Sequence, residues 1–292
     1  KDALKYLERY NVFEESGAKN YSCFLLPFWL GKTFPLAPEV CRRISLANLF
    51  GFFYFLVQDA VMDAPTGESE AQLLPLGNLF LLDFINGYRE MFPSESLFWS
   101  LLGKYFTQWA ESVKWERREH WRGGQPVSEA DLLMVAGKSA PLKITCAAVA
   151  IQNRSPESIE SLDQMVDQLL ITSQLLDDYA DWRHDLATGN CTFFLSQVMA
   201  ACQVTDFRLL NEDHVQQAVY FRKVLEKINA ILVKNHGIIQ SSGIKVPYLV
   251  AFHENLLGSF RNAMIQVREQ KTRMLEGGFS CWLHENYPDS RK

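Results

Sequence analysis

A chain of 292 residues, 48% apolar and 22% charged, has the balance of a globular protein with a sizeable core. Its net charge of -5, with no run of basic residues, excludes a general nucleic-acid binder, whose phosphate partner requires a positive patch. Six cysteines are scattered without any C-x-x-C pair, most of them in apolar surroundings, so buried reduced thiols in a cytoplasmic protein are expected rather than disulfides or zinc.

Nearly every segment reads with helical period, and no pair of alternating runs flanks a hairpin turn. The fold class expected is therefore all-α. Helices are predicted near 2–9, 20–30, 39–63, 72–91, 95–121, 129–152, 157–187, 192–202, 212–237 and 246–276, divided by signals such as Pro35-Leu36-Ala37-Pro38 and Gly123-Gly124-Gln125-Pro126. Ser128 followed by Asp131 has the spacing of a capping box. No repeat, low-complexity tract or long linker divides the chain, so residues 1–292 are expected to form one helical bundle, an architecture that builds metal sites from side chains on facing helices. The longest apolar run, Leu49 to Val57, is too short to span a bilayer, and no transmembrane segment is expected. No signal peptide is visible, although the chain begins at Lys1 and a removed organellar leader stays open.

Taken in chain order, the first chemistry-bearing pair is Asp59 and Asp63, spaced i,i+4 at the end of the apolar helix Leu46 to Met62, where the macrodipole disfavours acids. One and two turns inward on the Asp59 face lie Phe55 and Phe52, about 6 Å and about 10 Å below the carboxylate by helix rise, with Tyr54 beside them. They read either as ordinary core aromatics or as the apolar wall of a pocket beneath a metal. Lys138, within Gly137-Lys138-Ser139-Ala140-Pro141-Leu142, sits in an apolar stretch just before a proline that should bend the helix; it extends to solvent or meets an anion such as phosphate. Asp163 and Asp167 read as acids in a first helical turn, supporting the dipole.

The strongest signal is Gln174-Leu175-Leu176-Asp177-Asp178-Tyr179-Ala180-Asp181, followed by Asp185. At about 100° per residue, Asp177, Asp181 and Asp185 share one helix face, with Gln174 one turn upstream. The row lies just before the stop signal Thr188-Gly189-Asn190, so the acids crowd a helix C-terminus at a cost of some tenths of a kcal/mol each. A hard divalent cation offsets that cost. Mg²⁺ takes oxygen ligands and is held by one or two carboxylates plus substrate phosphates. His120 and His184 read as exposed or satisfied polar residues.

With two acidic motifs and a lysine between them in sequence, the chain resembles the trans-isoprenyl diphosphate synthases and the wider class I terpenoid synthase superfamily. Gln174-x-x-Asp177-Asp178-Tyr179-x-Asp181 with Asp185 matches that family's second aspartate-rich motif. Gly137-Lys138-Ser139-Ala140 is similar to its K-T-A segment, and Gly31-Lys32-Thr33-Phe34-Pro35 falls where a G-K-x-R-P type motif is expected. The resemblance spans residues 20 to about 195. It implies an α-helical bundle of the isoprenoid synthase type with a central apolar cavity. It also implies Mg²⁺, three ions with the substrate diphosphate, held by Asp59, Asp63, Asp177 and Asp181. Lys138 and Arg183 would take up charge on the diphosphate of a prenyl substrate. Gln174, Asp178 and Asp185 would complete the site, with Phe52 and Phe55 lining it, and a homodimer is compatible.

The departures matter as much. The first D-D-x-x-D reads Asp59-Ala60-Val61-Met62-Asp63, keeping the outer carboxylates and losing the middle one. Phe34 lies near the place of the first motif's arginine, no Lys or Arg occurs between Asp63 and Arg89, and Asn190 stands where a lysine follows the second motif. In elongating enzymes those bases hold isopentenyl diphosphate, and a second dianionic headgroup binds poorly without its cations. The resemblance therefore implies a non-standard, class IB terpene synthase-like lyase. The alternatives are a chain-elongating prenyltransferase using Arg42, Arg43 or Lys32, and a non-catalytic partner subunit.

Overall fold

The computed structural model describes residues 22–63, 72–119 and 125–278. The predicted helix over 2–9 and His120 lie outside these residues, and Asp63 is described by its backbone alone. Among the described residues all regular structure is helical, as periodicity indicates: α1 (Ser22–Leu30), α2 (Pro38–Asp63), α3 (Leu74–Arg89), α4 (Leu97–Glu119), α5 (Leu132–Ala136), α6 (Lys143–Gln152), α7 (Ile159–Ala180), α8 (Trp182–Thr188), α9 (Phe193–Cys202), α10 (Glu212–Phe221), α11 (Val224–Ser241) and α12 (Pro247–Arg273). A π-helical turn, Met274–Gly278, follows α12.

Three predicted helices are interrupted. The stretch 129–152 opens with a 3-10 turn, Glu129–Asp131, whose Asp131 carboxylate accepts from the Ser128 N–H at 2.9 Å and the Ser128 hydroxyl at 2.5 Å. It tightens again to 3-10 geometry over Gly137–Leu142, around Pro141, which lacks the N–H an α-helix needs. The stretch 157–187 breaks at Asp181, and 212–237 breaks before Val224, where Lys223 adopts φ 59°. Neither of these two breaks has a proline or glycine to announce it, so sequence pattern alone reads through them.

The chain divides into two compact units, each assembled from separate stretches: residues 1–108, 140–166 and 242–249 in the first, 109–139, 167–241 and 250–292 in the second. In the first unit, α2 and α3 run against each other at glycines. A Cβ on Gly77 would meet Val57 at 2.9 Å, and one on Gly51 would meet the Phe84 ring at 2.7 Å. Val57 and Phe80 form the centre of this contact, with Phe53, Tyr54, Val61 and Leu76 packed on it. A buried asparagine ties the helices together: Asn48 donates to the Cys23 carbonyl at 3.0 Å and to Thr145 Oγ1 at 2.9 Å, and accepts from the Tyr88 hydroxyl at 2.6 Å. With both amide donors and its oxygen engaged, Asn48 carries no unpaired polar atom into the core. Asp163 is corrected here. It is a buried carboxylate that accepts from Lys104 Nζ at 3.0 Å and Tyr105 Oη at 2.8 Å, rather than an acid that only supports the helix dipole.

In the second unit, α9, α10 and α11 pack on one another. Tyr179 lies edge-on between Phe194 and Phe260, at 5.4 and 5.6 Å. A second buried polar knot joins α7, α11 and α12: Asn235 donates to Thr172 Oγ1 at 3.2 Å, Thr172 Oγ1 meets His253 Nε2 at 2.8 Å, and the two Nδ1 atoms of His236 and His253 meet at 3.1 Å.

By length and composition, Pro38–Met62 and Glu129–Gln152 are each apolar enough to cross a membrane, a property that the single run Leu49 to Val57 does not display. The second of these stretches is largely buried, as the core helix of a globular protein also is.

Candidate functional site

In the first unit, Phe52, Phe55 and Asp59 stand on α2. Asp59 is exposed near the C-terminal end of the helix. Phe52 and Phe55 are half-buried. Phe52 meets Phe24 edge-on at 5.7 Å, while Phe55 packs against Tyr54 at 5.0 Å and Phe106 at 5.3 Å. Each ring thus packs on other aromatic rings of the first unit while remaining partly exposed.

Gln174, Asp177, Asp178, Asp181, Arg183, Asp185 and Lys138 all belong to the second unit. The acidic row is not one straight helix. Asp177 and Asp178 close α7, which ends at Ala180; Asp181 sits at the bend and Asp185 falls in the first turn of α8. The hydrogen-bond ladder nevertheless continues across the bend, from Asp181 N to Asp177 O at 2.9 Å and from Asp185 N to Asp181 O at 3.1 Å. The i,i+4 sequence of backbone contacts thus survives. The dipole reasoning is corrected: only Asp177 and Asp178 oppose a helix C-terminus, whereas Asp181 and Asp185 sit at the start of α8, the end that favours acids. Gly189 ends α8 in the left-handed region at φ 81°, the stop that Thr188-Gly189-Asn190 signals.

The four acids differ in surroundings. Asp177 and Asp181 are exposed. Desolvation, then the neighbouring charge of Asp181, raises the Asp177 pKa from its ordinary value, while Lys138 opposes the rise. Asp178 turns inward. It is 3% exposed, accepts from Gln174 Nε2 at 2.8 Å and from the backbone N–H of Phe193 at 3.1 Å, and burial pushes its pKa up to about 7. It thereby satisfies one of the open N–H groups at the start of α9. Asp185 is half-buried and accepts from Asn190 Nδ2 at 3.2 Å; burial raises its pKa to about 6 against that hydrogen bond. Asn190 therefore supports an acid of the row.

Lys138 reaches this cluster from the 3-10 turn before Pro141. Its charge counters the raised pKa values of Asp177, Asp178 and Asp185, and its Nζ lies 2.6 Å from Glu116 Oε1. Glu116 is the residue that sequence reading misses: it lies on α4, far upstream of the motif, and no local pattern marks it. Arg183 points elsewhere, with its guanidinium 4.4 Å above the Trp182 ring, lining a cavity of about 420 Å³ together with Tyr179, Tyr220, Gln266 and Gln270. Neither Phe52 nor Phe55 lines that cavity.

Among the described residues, no group of three or more His, Cys, Asp or Glu side chains is gathered closely enough to form an all-protein metal cage. Two exposed carboxylates one turn apart, Asp177 and Asp181, instead suit a cation that keeps waters and shares its shell with phosphate oxygens, which is the manner of Mg²⁺. No family model matches this chain, and neither a curated protein nor a solved structure shows significant similarity to it.

Proposed function

We propose that this chain is a Mg²⁺-dependent lyase of the terpene synthase type, with an isoprenoid synthase-like helical bundle and a central apolar cavity, that ionises an allylic prenyl diphosphate and releases diphosphate to give a linear or cyclic terpene. The observation that carries the reading is the clustering of Asp177, Asp181 and Asp185 with Lys138 in one unit, although more than thirty residues separate Lys138 from the acids in sequence. Carboxylates and one ammonium side by side are the complement of a metal-bound diphosphate: oxygen ligands for the cation and a donor for the phosphate oxygens.

In this reading Asp177 and Asp181, one turn apart in the second unit, would hold Mg²⁺. When bound, Mg²⁺ contributes the Lewis acidity that stabilises charge on the departing diphosphate. Lys138 donates to the same oxygens and adds a fixed positive charge where negative charge develops. Gln174 and Asp178 keep α7 docked on α9, which fixes the direction of the neighbouring Asp177. Phe52 and Phe55 present aromatic faces to the hydrocarbon; each stabilises a carbocation by roughly 0.5–2 kcal/mol and helps to exclude water. Diphosphate itself can accept the final proton.

The test is incubation of the full chain with Mg²⁺ and geranyl, farnesyl, geranylgeranyl or geranylfarnesyl diphosphate, each with and without isopentenyl diphosphate. A hydrocarbon or alcohol formed without isopentenyl diphosphate is the expected product. A longer diphosphate formed only with it would make the chain an elongating prenyltransferase, and no product at all would leave a non-catalytic subunit.

A further inference from the structure

The Lys138–Glu116 pair stands out among the ion pairs of the described residues. Its 2.6 Å separation joins two side chains that are only 26% and 21% exposed, whereas Arg42–Glu39 and Arg43–Glu90 lie open to solvent. Glu116 also lines a small cleft together with Trp115, Asp178, Asn190 and Thr192, so Lys138 and its partner lie next to the buried acid of the motif. A lysine on a flexible four-carbon stem has many rotamers, and a carboxylate fixed on the long helix α4 selects one of them. The same contact competes with any anion that approaches Lys138.

We propose that Glu116 is a positioning residue for Lys138, holding its ammonium beside the acidic row and releasing it to a metal-bound diphosphate. This rests on the diphosphate reading given above. Glu116 makes no contact with substrate in this scheme; it acts through Lys138 by charge exchange, one carboxylate partner being replaced by phosphate oxygens. A carboxylate that served only to stabilise the fold would leave anion affinity unchanged or lower it on removal, whereas a competing carboxylate raises affinity when its charge is removed.

The experiment is calorimetric titration of inorganic diphosphate with Mg²⁺ into the full chain and into Glu116→Gln, Glu116→Asp, Lys138→Met and the double variant Glu116→Gln/Lys138→Met. Glu116→Gln is expected to tighten binding about 3- to 10-fold, because the charge-assisted contact no longer has to be broken. Glu116→Asp, which keeps the charge and shortens its reach, should tighten binding by a smaller factor, and this conservative variant preserves a readout where the amide variant unfolds. In the Lys138→Met background the Glu116→Gln change should have no effect. Unchanged or weaker binding in both Glu116 variants, or equal tightening without Lys138, overturns the proposal while wild-type binding leaves the diphosphate reading standing. No diphosphate binding by the wild-type chain in Mg²⁺ overturns both.

Discussion

The two acidic helix ends are alike in sequence and unlike in structure. Asp59 crowns the end of an unbroken 26-residue helix and is exposed to solvent. The Asp177 row is bent at Asp181, sends Asp178 inward to the start of α9, and props Asp185 with Asn190. The three acids of a D-D-x-x-D run are therefore not equivalent. The two exposed members are available to a cation, and the middle member is part of the framework. The first motif fits the same rule. Its middle position is Ala60 rather than an acid, and α2 needs no inward carboxylate because Val57 and Phe80 already fill the interface with α3.

The comparison breaks most visibly if the exposed acids are dispensable. Asp177→Ala and Asp181→Ala should each remove nearly all turnover of a prenyl diphosphate while leaving the melting temperature close to wild type. For Asp177 a slight rise is expected, because the ionised form is both desolvated and close to a helix C-terminus. Full activity at ordinary Mg²⁺ in either variant would remove it from the metal site. On the first side, Phe55→Ala should cost about 3 kcal/mol of stability, the low end for a buried Phe, because the ring is half-buried. It should also shift preference toward a longer prenyl chain. An unchanged product profile with a larger stability loss would return Phe55 to the core.

Lys138→Ala sharpens the second side, with an expected loss of about 1.5–3 kcal/mol in transition-state binding measured as kcat/KM. A change below about twofold would leave Lys138 with only a structural pairing to Glu116. Asp178→Asn should behave in the opposite sense to Asp177→Ala. An amide cannot accept from both Gln174 and the Phe193 N–H, so about 1–3 kcal/mol of stability should be lost in denaturant melts. Some activity should survive once the chain is folded.

The smallest effect is expected from the buried histidine knot of the second unit. His253 is fully buried, and desolvation followed by the neighbouring His236 lowers its pKa from 6.5 to about 4. The unfolded chain therefore binds a proton that the folded chain refuses between those values. His253 contributes its full stability above about pH 6.5, and that contribution is lost as pH falls toward 4. His236 and Thr172 face the ring, and Glu254 lies 3.6 Å from the far nitrogen of His236. Melts from pH 8 to pH 4 should show a shallower decline for His253→Asn than for wild type, and equal slopes would refute the assignment.

Much of this was legible from residue order. Helical period located the elements, Pro141 foretold the distorted turn that carries Lys138, and Gly189 foretold the end of α8. Long-range partners were not legible, because nothing near Asp163 points to Lys104 and Tyr105, and nothing near Lys138 points to Glu116. The bend at Asp181 was equally silent, since the backbone ladder persists across it and no glycine or proline marks it. Spacing puts Asp178 inside the acidic motif, and only packing reveals that it faces the protein.

The proposed ionisation depends on Asp177 and Asp181 holding Mg²⁺ within the second unit. The most direct test measures diphosphate release from an allylic prenyl diphosphate across a Mg²⁺ titration for wild type, Asp177→Ala, Asp181→Ala and the double variant. Mg²⁺-dependent release by wild type is expected, with a loss of at least about a hundredfold in each single variant and little further loss in the double variant, because residues that act as a unit are not additive. Release that is independent of Mg²⁺, or either single variant at wild-type rates, would contradict that dependence.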